Sequence, residues 1–334
     1  MVRNMTLKTV RGIGVLAALV LGGSLALTGC TSDENGGGGT AQSDASQSAG
    51  EAGPVVDRDP KMDLPEIKND EKDEDAAPEM VPTDTEPPTE IVSKVLSEGD
   101  AEDGDVKDED AVEVDENAVL VVNYAGWLWD GTPFDSSFSR GEPAVFSLNS
   151  VIQGWKYGLA GAHVGDRVLL VVPPEWGYGQ EDTSSIPGGS TLVFVVDVLD
   201  SLGADTAILE DAQPTDELLP DGLKIDGDLG EEPVLVFKAG AASPDGEESI
   251  VVAEGNGPVI TSDQTVVYHY IAQYWGEEHA ATTTWDVGPE AIPAANSLFL
   301  GEHVGSRLLL LIPATGEDQP AMVMIVDILD AYTP

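Results

Sequence analysis

Val119-Leu120-Val121-Val122-Asn123-Tyr124-Ala125-Gly126-Trp127-Leu128, followed by Asp130-Gly131 and then Phe134-Asp135-Ser136-Ser137, is the stretch on which the fold turns. Ten β-branched, aromatic and small residues run into an Asp-Gly turn signal and a return segment, which is the pattern of a strand and its hairpin partner. Upstream, Glu90–Leu96 reads as a short strand stopped by Glu98-Gly99-Asp100. Downstream, Ala144–Leu148 alternates, and Val151, Trp155 and Leu159 share one face of a single short helix. Arg167–Val172 and Thr191–Leu199 are near-continuous apolar runs, as expected for strands of a sheet covered on both faces. Many strands and one helix imply an α+β domain in which the helix packs on an antiparallel sheet.

The pattern occurs twice. Gly161-Ala162-His163-Val164-Gly165-Asp166-Arg167 returns as Gly301-Glu302-His303-Val304-Gly305-Ser306-Arg307, each before an apolar strand and a proline. Asp197-Val198-Leu199-Asp200 returns as Asp327-Ile328-Leu329-Asp330, and Val121–Tyr124 is echoed by Val267–Tyr270. Three anchors in one order predict an internal duplication. The expected organisation is a first domain over 88–203 and a degenerate copy over 214–334. His163 and His303 are turn residues in this reading, because no acidic or cysteine partner recurs at ligand spacing, and no metal or cofactor is expected.

Asp and Glu outnumber Lys and Arg 61 to 15, for a formal net charge of -46. Such a surface repels nucleic acid and favours a soluble monomer. Cys30 is the only cysteine, so no intramolecular disulfide staples either domain. It ends a segment with basic Arg3, Lys8 and Arg11, an apolar run over 12–27, and Leu27-Thr28-Gly29-Cys30. That order reads as a secretory signal over residues 1–30. Its ending resembles the bacterial lipobox, which implies lipidation of Cys30 and anchorage at the outer face of the cell membrane. The alternatives are an ordinary signal peptide or a spanning helix, although a run broken by Gly22-Gly23 is short of the roughly 20 residues a span needs. Residues 31–87 are rich in Gly, Ser, Ala, Pro, Asp and Glu and are expected to form a disordered acidic tether.

Tyr124-Ala125-Gly126, Phe134-Asp135-Ser136-Ser137, Val151-Ile152-Gln153-Gly154-Trp155, Val164-Gly165, Pro174–Gly179, Ile186-Pro187 and Leu192-Val193-Phe194 occur in that order. Together they resemble the FK506-binding family of peptidyl-prolyl cis-trans isomerases over residues 118–202. The resemblance implies two tandem domains of that fold, each an antiparallel sheet curved around a short α-helix. It implies pocket walls from Tyr124, Phe134, Phe146 and Phe194, with Trp155 as the floor under a proline ring. Val151 and Ile152 would line the rim, the Ile152 N–H and the Tyr178 hydroxyl would donate to substrate carbonyls, and Ile186 would close the flap. Asp135 matches the family's pocket carboxylate, with Arg140 placed to pair with it. Read on their own, Phe146 and Phe194 are as readily core residues, and Asp135 could cap a turn.

The chemistry such a site serves needs no nucleophile. Resonance holds an amide planar behind a barrier of about 18–20 kcal/mol, and an Xaa-Pro bond flips unaided only over tens to hundreds of seconds. The twisted transition state has lost charge separation, so a dry aromatic pocket disfavours it less than the planar ground state. The implied substrates are proline-containing exported polypeptides, with FK506- or rapamycin-like macrolides as further ligands. A non-catalytic chaperone or peptide-binding lipoprotein is the alternative. Two departures stand out from the family pattern: Ala144 replaces an aromatic of many members, and Thr183-Ser184-Ser185 replaces flap residues of some. The second copy has Ala281-Thr282-Thr283-Thr284-Trp285 opposite Phe134–Phe138, and no tryptophan over 294–300, so it is expected to keep the scaffold without turnover.

Overall fold

The computed structural model describes residues 53–69, 77–99, 112–202, 206–316 and 319–333. The signal segment, Cys30 and the first part of the expected tether lie outside the described residues. The first unit contains β1 (Val56–Asp57), β2 (Glu66–Lys68), β3 (Glu79–Val81), β4 (Ile91–Ser97), β5 (Val119–Leu128), β6 (Pro133–Ser136), β7 (Ala144–Ser147), α1 (Gln153–Leu159), β8 (Arg167–Val172) and β9 (Leu192–Leu202). The sheet order is β1-β4-β8-β9-β5-β6, with β7 also on β5. All these pairings are antiparallel except β1 with β4.

The pleat sends alternate residues of each strand to opposite faces. Leu120, Val122 and Tyr124 of β5 join Leu170, Val172, Phe194 and Val196 in a core roofed by Trp155 and Leu159 of α1. Two glycines let the helix sit that close. A Cβ on Gly154 would lie 2.3 Å from Val172 Cγ1, and one on Gly158 2.2 Å from Leu170 Cδ1. Glycine costs a helix interior about 1 kcal/mol against alanine, and here the close approach to β8 offsets it.

The opposite face of the sheet is covered too, by residues expected to be unfolded. Ile67 on β2, with Leu64 and Met80, packs on Val92, Ala125, Trp127, Leu169, Val171, Val193 and Val195. The expectation of a disordered tether over 31–87 is therefore corrected for residues 53–69 and 77–87. Val56, Leu64, Ile67 and Met80 are too sparse to make a core among themselves, but they find one on an apolar sheet face already formed. The first unit starts near residue 53 rather than 88.

The second unit repeats this plan: β10 (Gln213–Pro214), β11 (Leu223–Asp226), β12 (Val234–Phe237), β13 (Glu248–Glu254), β14 (Thr265–Tyr274), β15 (Thr282–Thr283), β16 (Glu290–Pro293), β17 (Arg307–Ile312) and β18 (Met322–Tyr332). The order is β10-β13-β17-β18-β14-β15 with β16 on β14. Register matches residue for residue: Val121 pairs Asp200 and Val122 pairs Val198 across a bulge, as Val267 pairs Asp330 and Tyr268 pairs Ile328. The β11–β12 hairpin covers the outer face through Leu223, Leu235 and Phe237, as β2–β3 does in the first unit. The copy starts near residue 206, where a 3₁₀ turn (Ala207–Leu209) precedes β10, rather than at 214.

Two bonds tie each cap to its sheet. Buried Arg167 forks onto Asp197 at 2.5 and 2.7 Å and also donates to the Asn69 carbonyl. Arg307 does the same with Asp327 at 2.6 and 2.8 Å and with the Glu231 carbonyl at 3.1 Å. The indole of Trp129 donates to Thr85 O, and that of Trp275 to Ala241 O.

One expectation for the copy fails: the described residues of the second unit contain no α-helix. Leu148 N–H bonds to Ala118 O as Ala294 N–H bonds to Gln264 O, which pairs Leu148 with Ala294; matching turns pair Leu159 with Phe299. Eleven positions separate the first pair of anchors and five the second. What is left is a 3₁₀ turn, Ala294–Asn296, in place of α1.

The two units meet through equivalent patches. Val121, Val145, Leu199 and Leu202 pack with their counterparts Val267, Ala291, Leu329 and Tyr332 in one cluster. β7 lies against β16, its own equivalent. Same patch against same patch is the isologous arrangement of a two-fold dimer, here within one chain.

Candidate active site

Three rings converge on the indole at the start of α1, and a fourth packs behind them. Trp155 meets Tyr124, Phe146 and Phe194 edge-on, with centroids 5.4, 5.6 and 5.2 Å away. Phe134 stands against Phe194 at 5.5 Å and Phe146 against Tyr124 at 5.8 Å, both edge-on. These are the separations and tilts that aromatic quadrupoles prefer. Trp155 is 5% exposed and Tyr124 and Phe194 4% each, whereas Phe134 and Phe146 are half-buried, so the open side of the ring set lies at those two. Gly126 was not singled out from sequence, yet a Cβ there would sit 2.8 Å from Phe134 Cζ and 3.1 Å from Phe194 Cδ1. A glycine inside a strand is the signal for such an approach.

A polar group edges this apolar cup. The Tyr124 hydroxyl donates to the Asp135 carboxylate. Arg140 donates from Nη1 to Asp135 Oδ1 at 2.7 Å and from Nη2 to the Tyr124 oxygen at 3.0 Å, its guanidinium 5.5 Å from the Tyr124 ring centre. Burial, then the bond to Asp135, pushes Tyr124 up to about 12. Burial works to raise Asp135 as well, but the bonds from Tyr124, Arg140 and the Ser136 N–H hold it below the usual carboxylate range. The pair is thus a neutral phenol and an ionised carboxylate at neutral pH.

Val151 and Ile152 are half-buried on the loop that enters α1. Ile152 is the helix N-cap, extended at φ -60 and ψ 145, and its N–H donates to no other described residue. Tyr178 is 49% exposed on the β8–β9 loop, with its hydroxyl raised by burial and then by the charge of Asp135. Ile186 is buried in the same core, its segment fixed by the Thr183 hydroxyl accepting from Ile186 N–H at 3.0 Å. The ten residues read from sequence fall in one region: eight pack in or against one core, Asp135 bonds Tyr124, and Tyr178 lies near enough to Asp135 to be affected by its charge. Among the described residues no cluster of His, Cys, Asp and Glu could hold a metal.

Arg58 was missed, because it lies in the stretch read as tether. Its guanidinium donates to the carbonyls of Tyr157, Gly158 and Ala160 at 3.3, 3.3 and 2.6 Å and to the Ser93 hydroxyl at 3.1 Å. A cation on the last carbonyls of a helix satisfies acceptors that the helix leaves open and opposes its dipole.

The second unit keeps the frame and loses the cup. Register places Ala281 at Phe134, Thr282 at Asp135, Ile292 at Phe146, Met324 at Phe194 and Ala272 at Gly126. Tyr270 stands at Tyr124 with no carboxylate opposite. Tyr268, at the Val122 position, packs its ring 5.1 Å from Phe299. Nineteen residues join β8 to β9 and nine join β17 to β18, so positions for Tyr178 and Ile186 do not exist.

Residues 110–199 match the family model described as FKBP-type peptidyl-prolyl cis-trans isomerase. The isomerase FkpA of Escherichia coli K12 is 48% identical over 95 residues, 28% of this chain and 34% of that protein. The isomerase FKBP15-2 of Arabidopsis thaliana is 45% identical over 91 residues, 26% of this chain and 56% of that one. The chain spans about a third of the length of the FkpA relatives it matches. The solved structure of FkpA from Escherichia coli aligns with 40% identity and a TM-score of 0.30 over 34% of this chain and 48% of that one. With this match lying over the ring set and its Tyr124–Asp135–Arg140 edge, residues 110–199 form a domain of the FKBP-type peptidyl-prolyl cis-trans isomerase family.

Proposed function

We propose that the first unit catalyses rotation of Xaa-Pro bonds in exported polypeptides, and that the second unit keeps the fold without turnover. The observation that carries this reading is the indole of Trp155 among edge-on rings, with Trp155, Tyr124 and Phe194 nearly sealed from solvent and no nucleophile offered. A proline ring stacked there leaves its imide among apolar edges, where the planar, charge-separated form is disfavoured relative to the twisted one. The Ile152 N–H, without a partner among the described residues, and the exposed Tyr178 hydroxyl are donors for the carbonyls on either side. Tyr124, Asp135 and Arg140 hold the cup's edge in one geometry.

Export and anchorage through a diacylglycerol on Cys30 belong to the same proposal, supported by the order of basic, apolar and small residues before that cysteine. FK506- or rapamycin-like macrolides would compete for the same cup. The test is proline-limited refolding with the full chain: Trp155→Ala should lower kcat/KM by roughly a hundredfold, about 2.7 kcal/mol of transition-state stabilisation. Trp155→Phe should retain most of it. Unchanged rates in a folded Trp155→Ala protein would overturn the isomerase reading.

A further inference from the structure

We propose that the second unit acts as a fixed buttress for the substrate rim of the first, with Glu290 as a positioning residue for the proline pocket. The inference rests on the isomerase reading of that pocket.

Val151 and Ile152 are carried by a short loop between β7 and α1, and the end of β7 and the middle of that loop are each bonded to the other unit. Ser147 Oγ donates to Pro289 O at 2.9 Å, and Ser150 Oγ donates to Glu290 Oε2 at 2.8 Å. Within the loop, Ser150 N–H returns to Ser147 O at 3.0 Å, so the two anchored serines form one turn directly before Val151. A second line of contact reaches the helix. Gly288 lies at φ +109, where a Cβ would come within 2.6 Å of Asn117 Cβ, Asn117 O and Asn149 Nδ2. Asn117 and Asn149 both accept from Lys156 Nζ, at 3.0 and 2.5 Å, and Lys156 follows Trp155 on α1. Residues 288–290 thus press on the rim from one side and on the partners of the floor helix from the other.

Adhesion between the units does not need these bonds. The apolar cluster of Val121, Val145, Leu199 and Leu202 with Val267, Ala291, Leu329 and Tyr332 supplies it. Nor does the second unit's own fold call for a carboxylate at this point: its counterpart in the first unit is Ala144, and the loop that would follow has been shortened. Glu290 is half-buried, and burial first and then its charge raise the Tyr268 hydroxyl beside it. The donor that meets its carboxylate across the boundary is Ser150, at the solvent edge. What the arrangement fixes is the position of the Ile152 N–H and the Val151 side chain.

Those groups bind substrate and transition state alike, so loosening them should raise KM and spare kcat. In the full chain, Glu290→Ala should raise KM for a short Xaa-Pro peptide about threefold with kcat unchanged, the scale of one hydrogen bond. Glu290→Gln keeps an oxygen for Ser150 and should restore the wild-type KM. Gly288→Val, which wedges Asn117 and Asn149, should raise KM about tenfold, as a crowded close approach does. A readout independent of turnover is amide exchange at Ser150, whose N–H is bonded to Ser147 O in the anchored turn; it should quicken in Glu290→Ala and not in Glu290→Gln. Unchanged exchange in Glu290→Ala, or equal behaviour of the Ala and Gln variants, would overturn the buttress. A wild-type chain without turnover, but with the expected exchange pattern, would instead overturn the isomerase reading and leave the buttress standing.

Discussion

The two units share nearly everything that builds the sheet and almost nothing that builds the cup. Strand order, the β5 and β14 bulges, the buried Arg–Asp forks and the Trp129 and Trp275 tethers coincide. The rings, the carboxylate, the helix and the long flap are confined to the first unit. Scaffold and site are therefore carried by different residues. The sheet needs inward-facing bulk of any apolar kind, which Met324 and Ile292 provide as well as Phe194 and Phe146. The cup needs particular rings at particular angles, with Gly126, Gly154 and Gly158 bare enough to let them approach.

The largest test of the shared part is the buried ion pair. Removing one partner of such a pair leaves an uncompensated charge in a dry interior, at a cost of about 3–5 kcal/mol. Arg167→Ala and Arg307→Ala should each lower unfolding stability by that amount in urea titrations, the first in one unit and the second in the other. A loss at Arg167 with none at Arg307 would break the equivalence.

A smaller effect should separate the units by pH. His269 stands where the first unit has Asn123, is 7% exposed, bonds Thr284 Oγ1 at 3.0 Å and stacks on Trp285 at 4.6 Å. Burial pushes its imidazole down to about 4. The folded imidazole stays neutral while the unfolded one takes a proton below its ordinary value near 6.5, so stability is full above that value and lost as pH falls toward 4. The loss is at most on the order of 3 kcal/mol, and less where water reaches the ring. Thermal melts of wild type against His269→Asn, which imports the first unit's residue, should differ in slope between pH 6.5 and 4 and run parallel above it.

The smallest effect expected is at the edge of the cup. Asp135→Asn should lower kcat/KM about threefold to tenfold by loosening Tyr124, on the scale of a charge-assisted hydrogen bond. Activity should be flat from neutral to mildly alkaline pH, because Tyr124 is pushed up to about 12 and Tyr178 is also raised. It should fall only as pH drops through the acid range where Asp135, held below its ordinary value, takes a proton. Thr282→Asp in the second unit should confer no activity, since no indole lies beneath it.

Much of this was legible in the chain. Alternation and apolar runs marked β4, β5, β8 and β9, and the joint order of Tyr124, Asp135, Trp155, Tyr178 and Phe194 marked the site, because strands and cups are written in local residue choice. The caps were not legible. Ile67 and Met80 sit among charges and prolines, and their burial depends on Trp127 and Val193, far along the chain. Arg58 is equally silent, since its acceptors are the main-chain carbonyls of Tyr157, Gly158 and Ala160, and carbonyls carry no sequence signature. The missing helix of the second unit was half-visible: the absent tryptophan could be seen, but the loss of room showed only once Leu148 and Ala294 were fixed as equivalents by their strand pairing.

The clamp of Arg58 on the end of α1 has a mechanical consequence. A pull on the chain ahead of Gly53 loads β1 first, and β1 is held by a two-residue parallel ladder to β4, by Val56 packed on the core and by the guanidinium just after it. Once the ladder shears, the tension arrives at the helix whose first turn bears the indole. Tension on the chain ahead of Gly53 should therefore reach the indole-bearing helix through Arg58 before it reaches the central strands of the sheet.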